Sequence, residues 1–291
     1  MKGPSITTLL AIVVLSLGLL WLLYLDKEIT ANELQQWIDS LEENPESLRG
    51  QACELATKLF DNPDQRGEFA EELIETYSLA KDKDFLLVYN TGGFGGKGMA
   101  ADWEWPSVLY GVQSILSELG YASIIVEHQR AEDNIPGFLG EVEQIRDYYS
   151  AKAPLLAAKV AFLTRYNSRL RVIITGRSNG AVFSNEVMEL LENNPRVYSI
   201  QAGRSSWYIG SKSERTLLMD NNGIMPDAMA RGDFLAIIRA NLTRLPTTYP
   251  PKEGSKQIIK WFIEVPGHTY KWEHPGVQSQ VKAFLEENFA K

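Results

Sequence analysis

The chain has 291 residues, 44% of them hydrophobic and 23% charged, and carries a formal net charge of −8. That composition excludes a disordered or collagen-like chain, and the acidic balance argues against non-specific binding to nucleic acid or to anionic membrane surfaces. The single cysteine, Cys53, excludes an internal disulfide framework and a cysteine-rich zinc site, and a multi-histidine metal site would need nearly all of the three histidines.

The first element is the uncharged run from Ile6 to Leu25, ITTLLAIVVLSLGLLWLLYL. Twenty helical residues span roughly 30 Å, enough to cross the hydrocarbon core. Trp21 and Tyr24 stand near one end, where amphipathic rings favour the interface. The following Leu22-Leu23-Tyr24-Leu25-Asp26 has no small-residue cleavage pattern, so residues 1–29 are predicted to form an uncleaved, single-pass transmembrane signal anchor. The basic groups on the two sides nearly balance. The orientation taken here is N-terminus inside, with the soluble domain extracytoplasmic. Asn241-Leu242-Thr243 is a glycosylation sequon, a triplet that recurs by chance.

Residues 30–82 are predicted to be a helical stalk or platform. Thr30 with Glu33 makes a capping box for ANELQQWIDSLEEN, Asn44-Pro45 breaks that helix, and a second runs through SLRGQACELATKLF. Asn62-Pro63-Asp64 marks the next turn, and a third helix follows to about Ala80. Cys53 lies among Ala and Leu in the second helix, which predicts a small core residue rather than a reactive thiol. No chemistry is visible in this segment.

From residue 83 to 291 short apolar strands alternate with amphipathic helices. FLLVYN, YASIIVE, RVIITG, VYSIQAG, TLLMD and IIKWFIEV read as strands, with helices from about Ser107 to Leu119, across parts of 132–167, in AVFSNEVMELL and in VQSQVKAFLEENF. Uniformly apolar strands separated by helices predict an α/β fold whose mostly parallel sheet is covered on both faces.

Two glycine motifs interrupt this pattern. Gly93-Phe94-Gly95-Gly96-Lys97-Gly98 satisfies the G-x-G-x-x-G pattern of dinucleotide sites. A nucleotide site needs its helix to open at that loop, yet Pro106 points to a later helix start. The acidic residue ending the next strand, Glu127, lies about 29 residues beyond Gly98 rather than about 20, and the Walker pattern fails as well. A nucleotide-binding Rossmann-like protein is thus the weaker reading. A loop whose backbone N–H groups hold an oxyanion fits better, although glycine content alone does not separate it from a flexible surface loop.

The second motif, Gly176-Arg177-Ser178-Asn179-Gly180, matches G-x-S-x-G with a strand before it and a helix after it. A sharp strand-to-helix turn needs small residues at both ends and exposes Ser178 at its tip, where a histidine must activate it. The alternative is a serine that caps the helix. Gly203-Arg204-Ser205-Ser206-Trp207 lacks the second glycine and leads into no clear helix. Of the histidines, His268 follows the last strand on a loop able to reach back over the sheet. His274 precedes Pro275 as a loop residue, and His128 follows an earlier strand and reads as structural.

The elbow GRSNG, the loop GGFGG and the C-terminal PGHTYKWEHPGV together resemble the α/β-hydrolase superfamily over about residues 84–291. The resemblance implies a serine hydrolase working through an acyl-enzyme, with Ser178 as nucleophile and His268 as base. It implies an oxyanion hole made by the backbone N–H of Asn179 and by Gly93 or Phe94. The family's frequent His-Gly at the oxyanion loop reads Thr91-Gly92 here. The family's acid commonly follows the strand TLLMD, where this chain has Asp220-Asn221-Asn222-Gly223-Ile224-Met225-Pro226-Asp227. The position nearest the usual acid is Asn222. Asp220 is taken as the acid and Asp227 stands next, although an Asp at a strand end also forms turns.

The substrate implied is a small-molecule carboxylic ester or thioester, or a lipid-like one, and neither metal nor organic cofactor is required. The stretch 132–167 sits where the family often inserts its lid helices. A second class of function, a catalytically inactive binding or scaffold protein on the same fold, follows if Asn222 truly replaces the acid. The presence of both Ser178 and His268 counts against it.

Overall fold

A computed structural model describes residues 29–42, 47–242 and 264–290. It opens with three helices, α1 (Ala31–Ser40), α2 (Leu48–Leu59) and α3 (Pro63–Ala80). α1 starts at the expected capping box: the Thr30 hydroxyl accepts from the N–H of Glu33, and the Glu33 carboxylate accepts from the N–H of Thr30. Asn62 caps α3, and Pro63 fills its first position, where the missing N–H costs nothing. The expectation for Cys53 is corrected, because its side chain is exposed. α2 buries Gln51, Ala52, Leu55 and Ala56, and the residue after Ala52 points roughly 100° away from that stripe.

The remaining elements run β1 (Phe85–Asn90), α4 (Trp105–Glu118), β2 (Ser123–His128), α5 (Ile135–Arg146), α6 (Ala153–Tyr166), β3 (Arg171–Arg177), α7 (Asn179–Leu190), β4 (Val197–Ala202), β5 (Thr216–Met219), α8 (Phe234–Leu242) and α9 (Pro275–Phe289). Among the described residues the five strands pair in parallel, in the order β2-β1-β3-β4-β5. The strand expected in IIKWFIEV falls mostly outside the described residues, and its described end, Glu264 and Val265, is not in a strand. The anchor run Ile6 to Leu25 also lies outside them. Among the described residues no helix is long and apolar enough to cross a membrane.

β1 is buried along its whole length, as a strand inside a parallel sheet must be. Its alternate side chains serve two cores. Leu86 and Val88 pack with residues of α1, α2, α3, α6 and α7 on one face. Phe85, Leu87 and Tyr89 pack with α4 and α9 on the other. The helices of residues 30–82 therefore share a core with the sheet. Burying each such side chain stabilises the fold by roughly 1.5–3 kcal/mol before entropy is counted.

The strand order decides where a site can form. From β1 the chain crosses to β2 on one side, and from β3 it crosses to β4 and β5 on the other. Connections that diverge from two adjacent parallel strands leave a crevice beyond their carboxyl ends. The glycine loop leaves β1 at that crevice and the elbow leaves β3 there.

Candidate active site

The elbow's glycines are explained by backbone crowding. A Cβ at Gly176 would stand 2.2 Å from the carbonyl oxygen of Gly180, and one at Gly180 would stand 2.4 Å from that of Thr91. The turn leaves Ser178 at φ 56° and ψ −125°, a conformation that costs a non-glycine residue of the order of 1–3 kcal/mol and persists only where its surroundings impose it. Part of that imposition is the Ser178 N–H, which donates to the Ala202 carbonyl at 2.9 Å and ties the elbow to the end of β4. Ser178 occupies the N-cap position of α7, but its hydroxyl makes no capping hydrogen bond. The side chain is half-buried.

Arg177 anchors the elbow from the other side. Its guanidinium lies 3.3 Å from Asp102 and 3.1 Å from Glu104, and Tyr89 donates its hydroxyl to Asp102 at 3.0 Å. Burial raises the Asp102 pKa, but the Arg177 charge and hydrogen bonds from Glu104, Tyr89 and Trp105 outweigh it and hold the carboxyl below its usual range.

His268 sits on the loop before α9 with its Nδ1 2.8 Å from Oδ2 of Asp227. Asp227 is fully buried. Its Oδ2 also accepts the Tyr270 hydroxyl at 2.7 Å, and its Oδ1 accepts the N–H groups of Met229 and Ala230 at 2.9 and 3.1 Å. Burial pushes the Asp227 pKa up, yet the hydrogen bond and charge of His268, with Tyr270 and Ala230, bring it below the ordinary value. The carboxyl is therefore ionised, and the Tyr270 phenol is driven upward by its burial and by that charge.

Asp220, expected as the acid, is not brought to His268. The Asp220 side chain is exposed and pairs with Arg231 at 3.4 Å. An antiparallel bridge from Asn221 to Pro226 folds the chain back after β5, and the N–H of Asp227 donates to the Asp220 carbonyl at 2.9 Å. That reversal brings Asp227, the second candidate, under the histidine. Asn222 is structural: its amide donates to the carbonyls of Gly267 and Thr269, and its Oδ1 accepts the N–H groups of Ile224 and Met225. It clips the acid loop to the histidine loop.

Gly203 links the pair to the elbow. It follows Ala202, which holds the Ser178 N–H, and has φ +60°. A Cβ there would stand 2.7 Å from both the His268 ring and Oδ2 of Asp227. The strand end that carries the serine's backbone is thus one residue from the His–Asp pair. Read in sequence, this glycine belonged to a motif without a helix. Its signal was a lone glycine after a strand, and only the His268 loop gives it a purpose.

Asn179 and the glycine loop also meet, the Asn179 side-chain amide donating to the Gly93 carbonyl at 3.1 Å. Gly93 has φ +60°, and Phe94 is exposed with its ring edge-on to Phe138 at 4.4 Å. Gly98 leads into a single 3-10 turn, Met99–Ala101, and the α-helix after it, α4, begins only at Trp105, so Gly93–Gly98 do not open an α-helix as a dinucleotide site requires. The other two histidines are placed elsewhere. His274 caps α9, with its Nδ1 3.2 Å from the Thr269 carbonyl. His128 stacks on Phe183 at 5.4 Å. Among the described residues no group of three or more His, Cys, Asp or Glu is arranged to hold a metal.

Chemically, the arrangement offers a serine on a strained turn and an imidazole whose Nδ1 is occupied by an ionised, buried carboxylate. That leaves Nε2 as the nitrogen free to accept a proton. Tyr270 and Gly203 were not singled out from sequence as members of this group. Tyr270, two residues past His268, carries no pattern that distinguishes it from a core aromatic.

No protein-family model matches the chain, and no curated protein matches it by sequence. Among solved structures it is similar to Trichoderma reesei cutinase in complex with a C11Y4 phosphonate inhibitor, at 9% identity and a TM-score of 0.37, over 69% of this chain and 85% of that one.

Proposed function

We propose that the chain is a serine hydrolase of the α/β-hydrolase type that cleaves a carboxylic ester or thioester through an acyl-enzyme. The observation that carries this reading is the pairing of His268 with the buried Asp227, one residue along β4's end from the contact that holds the strained Ser178 elbow.

In this mechanism Ser178 Oγ attacks the acyl carbon as its proton passes to Nε2 of His268. Asp227 keeps the Nδ1–H tautomer in place and stabilises the imidazolium. The backbone N–H of Asn179 and that of Gly93 or Phe94 receive the oxyanion. His268 then protonates the departing alcohol or thiol. A water, losing its proton to His268, attacks the acyl-enzyme, and Ser178 regains its proton as the acid leaves. The substrate is a small-molecule acyl ester or a lipid-like one, and residues 1–29 hold the enzyme at a membrane as a single-pass anchor with the soluble domain extracytoplasmic.

The test is labelling of the full chain with a fluorophosphonate probe in carbonate-washed membranes, beside Ser178→Ala, His268→Ala, Asp227→Asn and Asp220→Asn. Labelling is expected in wild type and Asp220→Asn, absent in Ser178→Ala, and lost or strongly slowed in the other two. In the serine-protease case the Asp→Asn change costs about 10⁴ in kcat. Full labelling of Asp227→Asn overturns the assignment of the acid. No labelling of folded wild type overturns the hydrolase reading, and extraction of the chain by carbonate overturns the anchor.

A further inference from the structure

A fully buried ion pair stands behind the glycine loop, and the mechanism above makes no use of it. Arg130, two residues past β2, meets Glu141 of α5 at 2.8 Å, with both side chains wholly buried. The Arg130 guanidinium also donates to the carbonyl of Thr91 at 2.6 Å and to that of Gly93 at 3.5 Å. Glu141 is itself surrounded, accepting the Tyr149 hydroxyl at 3.1 Å and the Lys152 ammonium at 3.0 Å. Lys152 closes the ring with a bond to the Arg130 carbonyl at 2.5 Å, and the rings of Tyr149 and Phe183 lie 5.4 Å from the guanidinium.

Two further observations set this cluster apart from ordinary packing. Among the described residues, the non-glycine residues with positive φ are Tyr148, Tyr149 and Ser178, so backbone strain falls at the elbow and in this cluster. The loop is also moulded to the cluster. A Cβ at Gly95 would stand 2.8 Å from the Glu141 carboxylate and 3.0 Å from Cβ of Arg130. A buried ion pair is weak as a source of stability, because desolvation offsets its attraction. What this one does visibly is grip the carbonyls of one loop.

We propose that Arg130, held in place by Glu141, Tyr149 and Lys152, is the positioning residue of the oxyanion loop. The peptide unit is planar and trans, so fixing the Gly93 carbonyl also fixes the direction of the Phe94 N–H. The Gly93 carbonyl is held twice, by Arg130 and by the Asn179 side chain. Arg130 thereby sets one of the two candidate donors before substrate arrives. Its catalytic consequence rests on the hydrolase reading; the clamp on the loop does not.

Removing Arg130 alone leaves the buried Glu141 carboxylate with Lys152 as its remaining ion-pair partner and risks the fold, so the decisive variant is Arg130→Met/Glu141→Met, which removes both charges of the buried pair. The full chain is compared as wild type, as that double variant and as Arg130→Lys, by thermal melting, by amide hydrogen exchange over residues 91–96, and by fluorophosphonate labelling with ester kinetics. A folded double variant is expected to exchange these amides at least tenfold faster and to lose roughly 10- to 100-fold in kcat and labelling rate, with KM within about twofold. Arg130→Lys should fall between the two. A folded double variant with wild-type exchange and wild-type kcat overturns the proposal. If the double variant does not fold, wild-type exchange in Arg130→Lys overturns it. An unlabelled wild type overturns the hydrolase reading, and the exchange data then decide the clamp alone.

Discussion

At the scale of single residues, the site depends on one position that carries no functional group. Gly203 is left-handed, and a Cβ there would press into both His268 and Asp227. Gly203→Ala is expected to cost about 1–2 kcal/mol for the backbone alone. Because the clash falls on the imidazole, kcat/KM should drop by about 100-fold, the scale of a small misplacement of a reacting group. Melting curves and ester kinetics of the variant check both. Wild-type kinetics would mean that His268 has room to move. Legibility at this scale followed local chemistry. The elbow's two glycines and Ser178 could be read because a sharp strand-to-helix turn forces its own residues on the sequence. Asp227 could not be separated from Asp220, because the choice is made by the Asn221–Pro226 bridge and by Tyr270, neither of which leaves a local pattern.

At the scale of elements, the acid loop after β5 and the histidine loop before α9 behave as one unit. Asn222 joins them with two hydrogen bonds, to the carbonyls of Gly267 and Thr269, and braces its own loop with two more from the N–H groups of Ile224 and Met225, while the N–H of Ala228 adds another link to the Pro266 carbonyl. The Asn222 amide donates to two carbonyls, which a carboxylate cannot do. Asn222→Asp is therefore expected to lower stability by about 1–3 kcal/mol without raising activity, as measured by urea unfolding and ester turnover. The elements themselves were largely readable, through the capping box of α1, the Asn62-Pro63 turn before α3, the helix start signalled by Pro106 in α4 and the apolar strands. α8 was not. Its apolar residues Phe234, Leu235, Ile238 and Leu242 are exposed, so no buried stripe marks it as a packed helix.

At the scale of the whole molecule, His128 is expected to contribute more to acid sensitivity above pH 4 than Asp227 does. Its desolvated ring, stacked on Phe183 and facing the cations Lys159, Arg130 and Lys152, has its pKa pushed down to about 3 from an ordinary 6.5. The unfolded chain takes up a proton below pH 6.5 that the folded chain refuses. The stability due to His128 is thus full above that pH and declines as the pH falls towards 3, by up to about 1.4 kcal/mol per unit. Asp227 is also depressed, but its contribution is lost only below its ordinary 3.8. Urea unfolding at pH 7.5 and 4.5 should therefore show a stability loss that is smaller by about 2–3 kcal/mol in His128→Phe. An equal loss in both proteins would place a proton on His128 in the fold.

The amino-acid sequence by itself determined the α/β alternation, the helical segment before it, the elbow with Ser178 and the nomination of His268. Each of these is written in neighbouring residues, as side-chain periodicity, turn chemistry or a cap. Only the tertiary structure decided that Asp227 meets His268, that Asn222 is a clip, that Gly203 makes room for the pair and that Arg130 grips the glycine loop. Those contacts join residues from 24 to 65 positions apart (Gly203 with Asp227 at 24, Gly93 with Arg130 at 37, Thr91 with Arg130 at 39, Asp227 with His268 at 41, Gly203 with His268 at 65). They arise where strands β1, β3, β4 and β5 end side by side, because the parallel order of the sheet gathers at one edge loops that the chain keeps far apart.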